Sequence, residues 1–130
     1  MEKKRFSHPL RKEEFVTGPY SDALLVDGCL YVSGQGPVDF ATSSFVLGTI
    51  EEETHLTIKN LQYLLDQGGM TLDDVIKCTV HLADINDFDR FNAVYETYFT
   101  GIRPVRTTVQ SGLVKGIKVE IDCIAKKGIA

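Results

Sequence analysis

Arg106 and Glu120 are the side chains whose types and setting best suit chemistry on a small acid. Arg106 lies in Arg103-Pro104-Val105-Arg106-Thr107-Thr108-Val109, and Glu120 in Ile117-Lys118-Val119-Glu120-Ile121-Asp122, on two consecutive strand-like stretches. A guanidinium offers a flat fork of donors that matches a carboxylate in bidentate geometry, and a partly desolvated Glu holds or delivers a proton at a reacting centre. The first expectation is therefore an anionic substrate that exchanges protons. By residue type alone each side chain also has an ordinary use: an interface salt bridge for Arg106, a solvated strand face for Glu120.

The elements that must hold this pair follow from apolar spacing. Ala23–Val26 and Cys29–Val32 flank Asp27-Gly28, a dipeptide that supplies the positive φ angles of a two-residue hairpin. Gly34, Gly36 and Pro37 then interrupt the pattern, and the stretch to Gly48 reads as a loop. Thr49 with Glu52 forms a capping box, Glu51 to Glu53 suit a helix start, and Ile58, Leu61, Leu64 and Leu65 give an apolar stripe that Gly68-Gly69 ends. Ile76, Cys78, Val80 and Leu82 alternate with Lys77, Thr79 and His81, as a strand requires, with His81 facing outward. Asn86 or Asp87 caps a second helix carrying Phe88, Phe91, Tyr95 and Tyr98 or Phe99 at core spacing.

Strands at 105–111 and 117–123 complete the order β-β-α-β-α-β-β, an α+β subunit with both helices on one face of a single mixed sheet. The hairpin strands are apolar at consecutive positions, so both of their faces need cover. With no third long helix to supply it, the cover is expected from another copy of the chain, in a number that pattern alone leaves open.

At 130 residues, 43% hydrophobic and 25% charged, the chain reads as one domain, 1–130. Fourteen basic against eighteen acidic residues give a net charge of −4, which argues against nucleic acid as a partner, and Lys3-Lys4-Arg5 reads as a solvated end. No apolar run spans a bilayer and the N-terminal stretch lacks a signal-peptide core, so a cytoplasmic protein without a membrane partner is expected. Cys29, Cys78 and Cys123 read as buried free thiols, and His8, His55 and His81 lack partners at metal-ligand spacing, so no metal is expected.

Gly18-Pro19-Tyr20-Ser21, Tyr31-Val32-Ser33-Gly34-Gln35, Asn86-Asp87-Phe88, Phe91-Asn92-Ala93-Val94-Tyr95, Arg103-Pro104-Val105-Arg106-Thr107 and Val119-Glu120-Ile121 occur in that order. Taken together they resemble the RidA family of reactive-intermediate deaminases, also called the YjgF family, over nearly the whole chain. The resemblance implies a chorismate-mutase-like fold, a homotrimer with pockets between subunits, and cofactor-free hydrolysis of 2-imino acids or their enamine tautomers to 2-oxo acids and ammonia. It implies that Arg106 clamps the substrate carboxylate, that Glu120 orients or activates water, and that Tyr20, Ser33, Gly34, Asn92 and Thr108 line the pocket.

Packing explains some of these residues equally well: Tyr20 suits a turn after Gly18-Pro19, and Asn92, a poor helix former, suits any tertiary hydrogen bond. The chain departs from the family pattern at Gly36, where many relatives carry a bulkier residue, and at Thr108, where several carry Cys. It departs again in Ser111–Gly116, which is shorter and lacks a proline. A thiol-dependent reaction at position 108 is excluded. The competing reading is a non-catalytic protein that binds or senses a small carboxylate through the same pocket, and an RNA-directed role stands third.

Overall fold

A strand at the N-terminus opens the sheet. In the computed structural model, which describes residues 2–128, β1 (Lys4–Phe6) pairs antiparallel with β2 (Ala23–Val26). Met1, Ile129 and Ala130, the ends of the expected 1–130 domain, lie outside the described residues. The solvated end expected at Lys3-Lys4-Arg5 is thus corrected in its backbone: Lys4 and Arg5 keep exposed side chains while their main chain forms an edge strand. β2 turns through Asp27 and Gly28, at φ 51° and 77°, into β3 (Cys29–Gln35), the left-handed pair that a tight hairpin needs.

The stretch expected as a plain loop to Gly48 holds a small ribbon, β4 (Val38–Asp39) with β5 (Ser44–Phe45). Two-residue strands carry no detectable period, which is why the sequence did not betray them. Thr49 then caps α1 (Ile50–Gln67) with the full reciprocal box, its side chain accepting from Glu52 N–H while the Glu52 carboxylate accepts from Thr49 N–H. Ile58, Leu61, Leu64 and Leu65 are fully buried, each contributing about 2 kcal/mol relative to exposure.

β6 (Val75–Leu82) follows, and a register shift between Val75 and Lys77 turns Ile76 outward, so the expected alternation begins only at Cys78. Asp84, rather than Asn86, supplies the side-chain cap, to the short 3-10 turn Ile85–Asp87. That turn leads into α2 (Phe88–Tyr98), where Asp87 stands at the N-cap without a side-chain bond. β7 (Val105–Gln110) and β8 (Val119–Lys126) complete the chain.

The main sheet runs β1-β2-β3-β8-β6-β7, with β6 and β7 parallel and the other neighbours antiparallel. Both helices pack on one face, over a core that includes Leu30, Val80, Phe91, Val119 and Ile121. Among the described residues no element lies across the other face: Thr79, His81, Glu120 and Asp122 sit there half-exposed, and Tyr31 is 47% exposed. The α+β architecture expected from the element order is the one observed.

Candidate active site

The seven residues singled out fall into two groups, each built by a different part of the sheet. Glu120, Gly34, Ser33 and Tyr20 gather on the open face. β3 breaks register against β8 between Val32 and Gln35, where Ser33 N–H instead donates to Asp22 O at 2.9 Å and Ser33 Oγ donates to Ser21 O at 2.6 Å. The bulge ties β3 to the Tyr20 loop and leaves Gly34 bare beneath the Glu120 side chain. A Cβ on Gly34 would meet Glu120 Oε2 at 2.6 Å, so only glycine admits the carboxylate at this height. The Tyr20 ring lies across Gly18, and its hydroxyl bonds Thr17 Oγ1 at 2.7 Å.

A buried polar network carries that loop. Asp22 receives Arg11 in bidentate fashion at 2.9 and 2.8 Å and the His8 N–H at 2.8 Å. His8 stacks on Phe40, and Leu10 N–H points at its Nδ1, so the neutral ring donates from Nε2 to Asn60 Oδ1 at 2.9 Å. Asn60 in turn donates to the carbonyls of Gly36 and Val38. The N-terminal segment, the β3–β4 corner and α1 are thereby fixed as one support for Glu120 and Tyr20.

Burial pushes the Glu120 carboxyl above the ordinary carboxylate range; His81 pulls it back and Asp122 adds to the rise. No ion pair engages it among the described residues. A half-buried carboxyl set over bare backbone is suited to hold a water molecule and to take and return a proton.

Arg106, Asn92 and Thr108 form the second group, on the helix side of the edge strand β7. Arg106 pairs with the core residue Cys78 and lies against α2, its Cζ 4.7 Å from the Tyr95 ring centroid and 5.5 Å from that of Phe91. Its Nη2 donates to Asn92 Oδ1 at 2.8 Å, which gives this in-helix asparagine its reason. No carboxylate lies within ion-pair distance among the described residues, so the intramolecular salt bridge is absent and most of the fork's donors remain for an anion. Beside it Thr108 Oγ1 is buried with no hydrogen-bond partner among the described residues.

Within one copy the two groups do not meet. Arg106 faces the helices and Glu120 faces away from them, with β6 between their strands, so they stand about 10 Å apart laterally on opposite sides of a sheet. Among the described residues no cluster of His, Cys, Asp and Glu is arranged for a metal ion, and no helix is long and apolar enough to cross a membrane.

A sequence profile for the family described as Endoribonuclease L-PSP matches residues 11–127, nearly the whole framework that carries both groups. The chain belongs to this family, the RidA or YjgF proteins. A 2-iminobutanoate/2-iminopropanoate deaminase of Rattus norvegicus is 45% identical over 112 residues, covering 85% of this chain and 82% of the relative. A RutC family protein of Pyrococcus abyssi is 42% identical over 111 residues, 85% of this chain and 87% of its own. The crystal structure of a conserved Rid family protein from Yersinia pestis superposes with a TM-score of 0.89 at 37% identity, covering 96% of this chain and 99% of that one.

Set in this RidA fold, three groups that residue spacing did not single out stand beside Glu120. His81 is its cross-strand neighbour, and Asp122 and Ser111 contact His81. Alternation along β6 and β8 placed His81 and Glu120 on polar faces, but the register that sets them opposite each other is a property of the folded sheet.

Proposed function

We propose that the protein hydrolyses reactive 2-imino acids, or their enamine tautomers, to 2-oxo acids and ammonia without a cofactor, at pockets formed between copies of the chain. The observation that carries this reading is the split site. A cradled guanidinium lies on the edge strand and a desolvated carboxylate on the uncovered face, and among the described residues of one subunit neither makes an ion pair. Seating the β7 edge of one copy against the open face of the next would bring Arg106 and Glu120 together and cover Tyr31. It would also offer a neighbour to the orphan Thr108 hydroxyl, whose isolation otherwise costs about 1–3 kcal/mol. Repeated around a closed ring, that contact gives the homotrimer.

In such a pocket the Arg106 fork holds the substrate carboxylate, with Asn92 fixing the guanidinium and Tyr20, Ser33 and Gly34 shaping the wall. Glu120 takes a proton from water as the water oxygen bonds to the carbon of the protonated imine, whose nitrogen becomes a neutral amine. The protonated Glu120 then returns the proton to that nitrogen, and as the C–N bond breaks and ammonia leaves, the carbinol hydroxyl gives its proton to the Glu120 carboxylate, so the 2-oxo acid remains. The carbon is already electrophilic, so alignment and proton transfer supply the acceleration. The deaminase relatives support this reading over a purely binding role for the same pocket. The acidic net charge supports a small-molecule substrate over nucleic acid, and we propose a cytoplasmic setting with no membrane partner.

The deciding experiment follows 2-iminopropanoate and 2-iminobutanoate, generated in situ by an amino-acid oxidase and trapped with semicarbazide, in the presence of wild type and Arg106→Ala. Faster imine loss with wild type, abolished in the variant, is expected. Carboxylate binding without turnover by assembled wild type would instead establish the sensor.

A further inference from the structure

Glu120 works as a base only while it is ionised, yet its burial and the neighbouring Asp122 both favour the protonated form. The His81 imidazole opposes them. His81 lies directly across from Glu120 in the β6–β8 ladder, with Nδ1 2.9 Å from Ser111 Oγ and Nε2 3.5 Å from Asp122 Oδ2. Ser111 is itself fixed at the end of β7 by its N–H, which donates to Leu82 O at 2.9 Å.

This setting keeps the ring in place in either charge state. A serine hydroxyl donates to a neutral imidazole nitrogen and accepts from a protonated one, and Asp122 welcomes the N–H of both forms. His8 is the opposite case. There Nδ1 faces the N–H of Leu10, a donor that cannot reverse, and burial disfavours the cation. The two histidines therefore differ in environment: His8 faces a fixed donor and is held neutral, whereas His81 faces a hydroxyl that can donate or accept.

The groups facing His81 are few. β8 presents Glu120 directly opposite and Asp122 on the diagonal; β7 and its continuation present Val109 and Ser111; Thr79 precedes it on the same face of β6. Lys118, earlier on the path into β8, is engaged by Glu53 at 3.1 Å.

We propose that His81 is a positioning residue for Glu120: steered by Ser111 and Asp122, it sets a titratable cation across the strand from the carboxylate and keeps it ionised over Gly34. The kinetic consequence rests on the imine-hydrolase reading; the charge coupling does not. Two variants separate charge from geometry. His81→Gln retains hydrogen-bonding capacity toward Ser111 without a charge, and His81→Leu removes both.

The test measures the pH dependence of kcat/KM for 2-iminobutanoate and, without substrate, the 13C NMR titration of the Glu120 side-chain carboxyl, in wild type and both variants, after checking that their elution on size exclusion matches. The acid limb and the NMR midpoint should both move up by about half to one pH unit in both variants, the order that one charge across a strand contributes in a half-wet site, while KM on the plateau changes less than about threefold. Identical midpoints in all three proteins would overturn the proposal. So would a shift in His81→Leu alone, because the hydrogen bond rather than the charge would then be at work. A midpoint shift in a protein inactive on imines would preserve the His81–Glu120 coupling and remove the hydrolase reading instead.

Discussion

At Arg106 the structure supplies what residue type could not: aromatic rings beneath the guanidinium, one hydrogen bond donated to Asn92 Oδ1, and no carboxylate in reach among the described residues. Arg106→Ala is expected to lower kcat/KM about a hundredfold or more, and Arg106→Lys to recover little of it, because a point charge cannot replace the fork; steady-state kinetics would show this. Glu120→Gln should cost about 10²- to 10⁴-fold in kcat and leave product 2-oxo acid binding in calorimetry nearly unchanged. The same variant has a stability signature. Burial raises the Glu120 carboxyl in the folded state, so its contribution is fully present at low pH and is lost as pH rises from the ordinary carboxylate range through the raised value. In the isolated subunit Glu120→Gln escapes that loss, and its melting temperature should gain on wild type as pH rises above about pH 4, the ordinary carboxylate range; a constant difference would count against a desolvated carboxylate. Arg106 and Glu120 were singled out by their types and by the family resemblance. Their placement on opposite faces was not, because each strand's alternation has an arbitrary phase until the sheet forms.

Elements with a strong local rule formed as their residues require. The Asp27-Gly28 hairpin and the Thr49–Glu52 capping box are both present, since each is closed by neighbours in sequence. Thr49→Ala should cost about 1 kcal/mol in urea unfolding, without changing the slope. Elements that exist only through distant partners were invisible: β1 depends on pairing with β2, the β4–β5 ribbon is too short to show a period, and the Ile76 bulge appears only against β8. The N-terminal segment is likewise held by a long-range network, and its weak point is His8. Burial lowers the affinity of His8 for a proton below that of the unfolded chain, so its contribution is intact above about pH 6.5 and declines as pH falls below it. The melting temperature of wild type should therefore drop between about pH 7 and about pH 5, and the drop should be shallower in His8→Gln; equal slopes would acquit the residue.

For the whole molecule the proposed pocket makes a numerical demand. If Arg106 comes from one copy and Glu120 from its neighbour, Arg106→Ala and Glu120→Gln subunits, each inactive alone, should recover about a quarter of wild-type activity when assembled at random in equal amounts, since one interface in four then joins two intact residues. Activity that stays at the level of the single variants in demonstrably mixed oligomers would place both residues in a site within one subunit. The sequence by itself determined the α+β order of the long elements, the apolar faces, the capping and turn chemistry, and a guanidinium and a carboxylate of types suited to an anion and a proton, because these depend on local propensity and short-range period. It also signalled, through a hairpin apolar on both sides, that one sheet face lacks cover. Only the tertiary structure decided that Arg106 turns to the helices while Glu120 turns to the open face, that Gly34 makes room for the carboxylate, and that His81 stands opposite it. Strand register and facing are fixed by the joint burial of the whole sheet, and no stretch of chain carries that information alone.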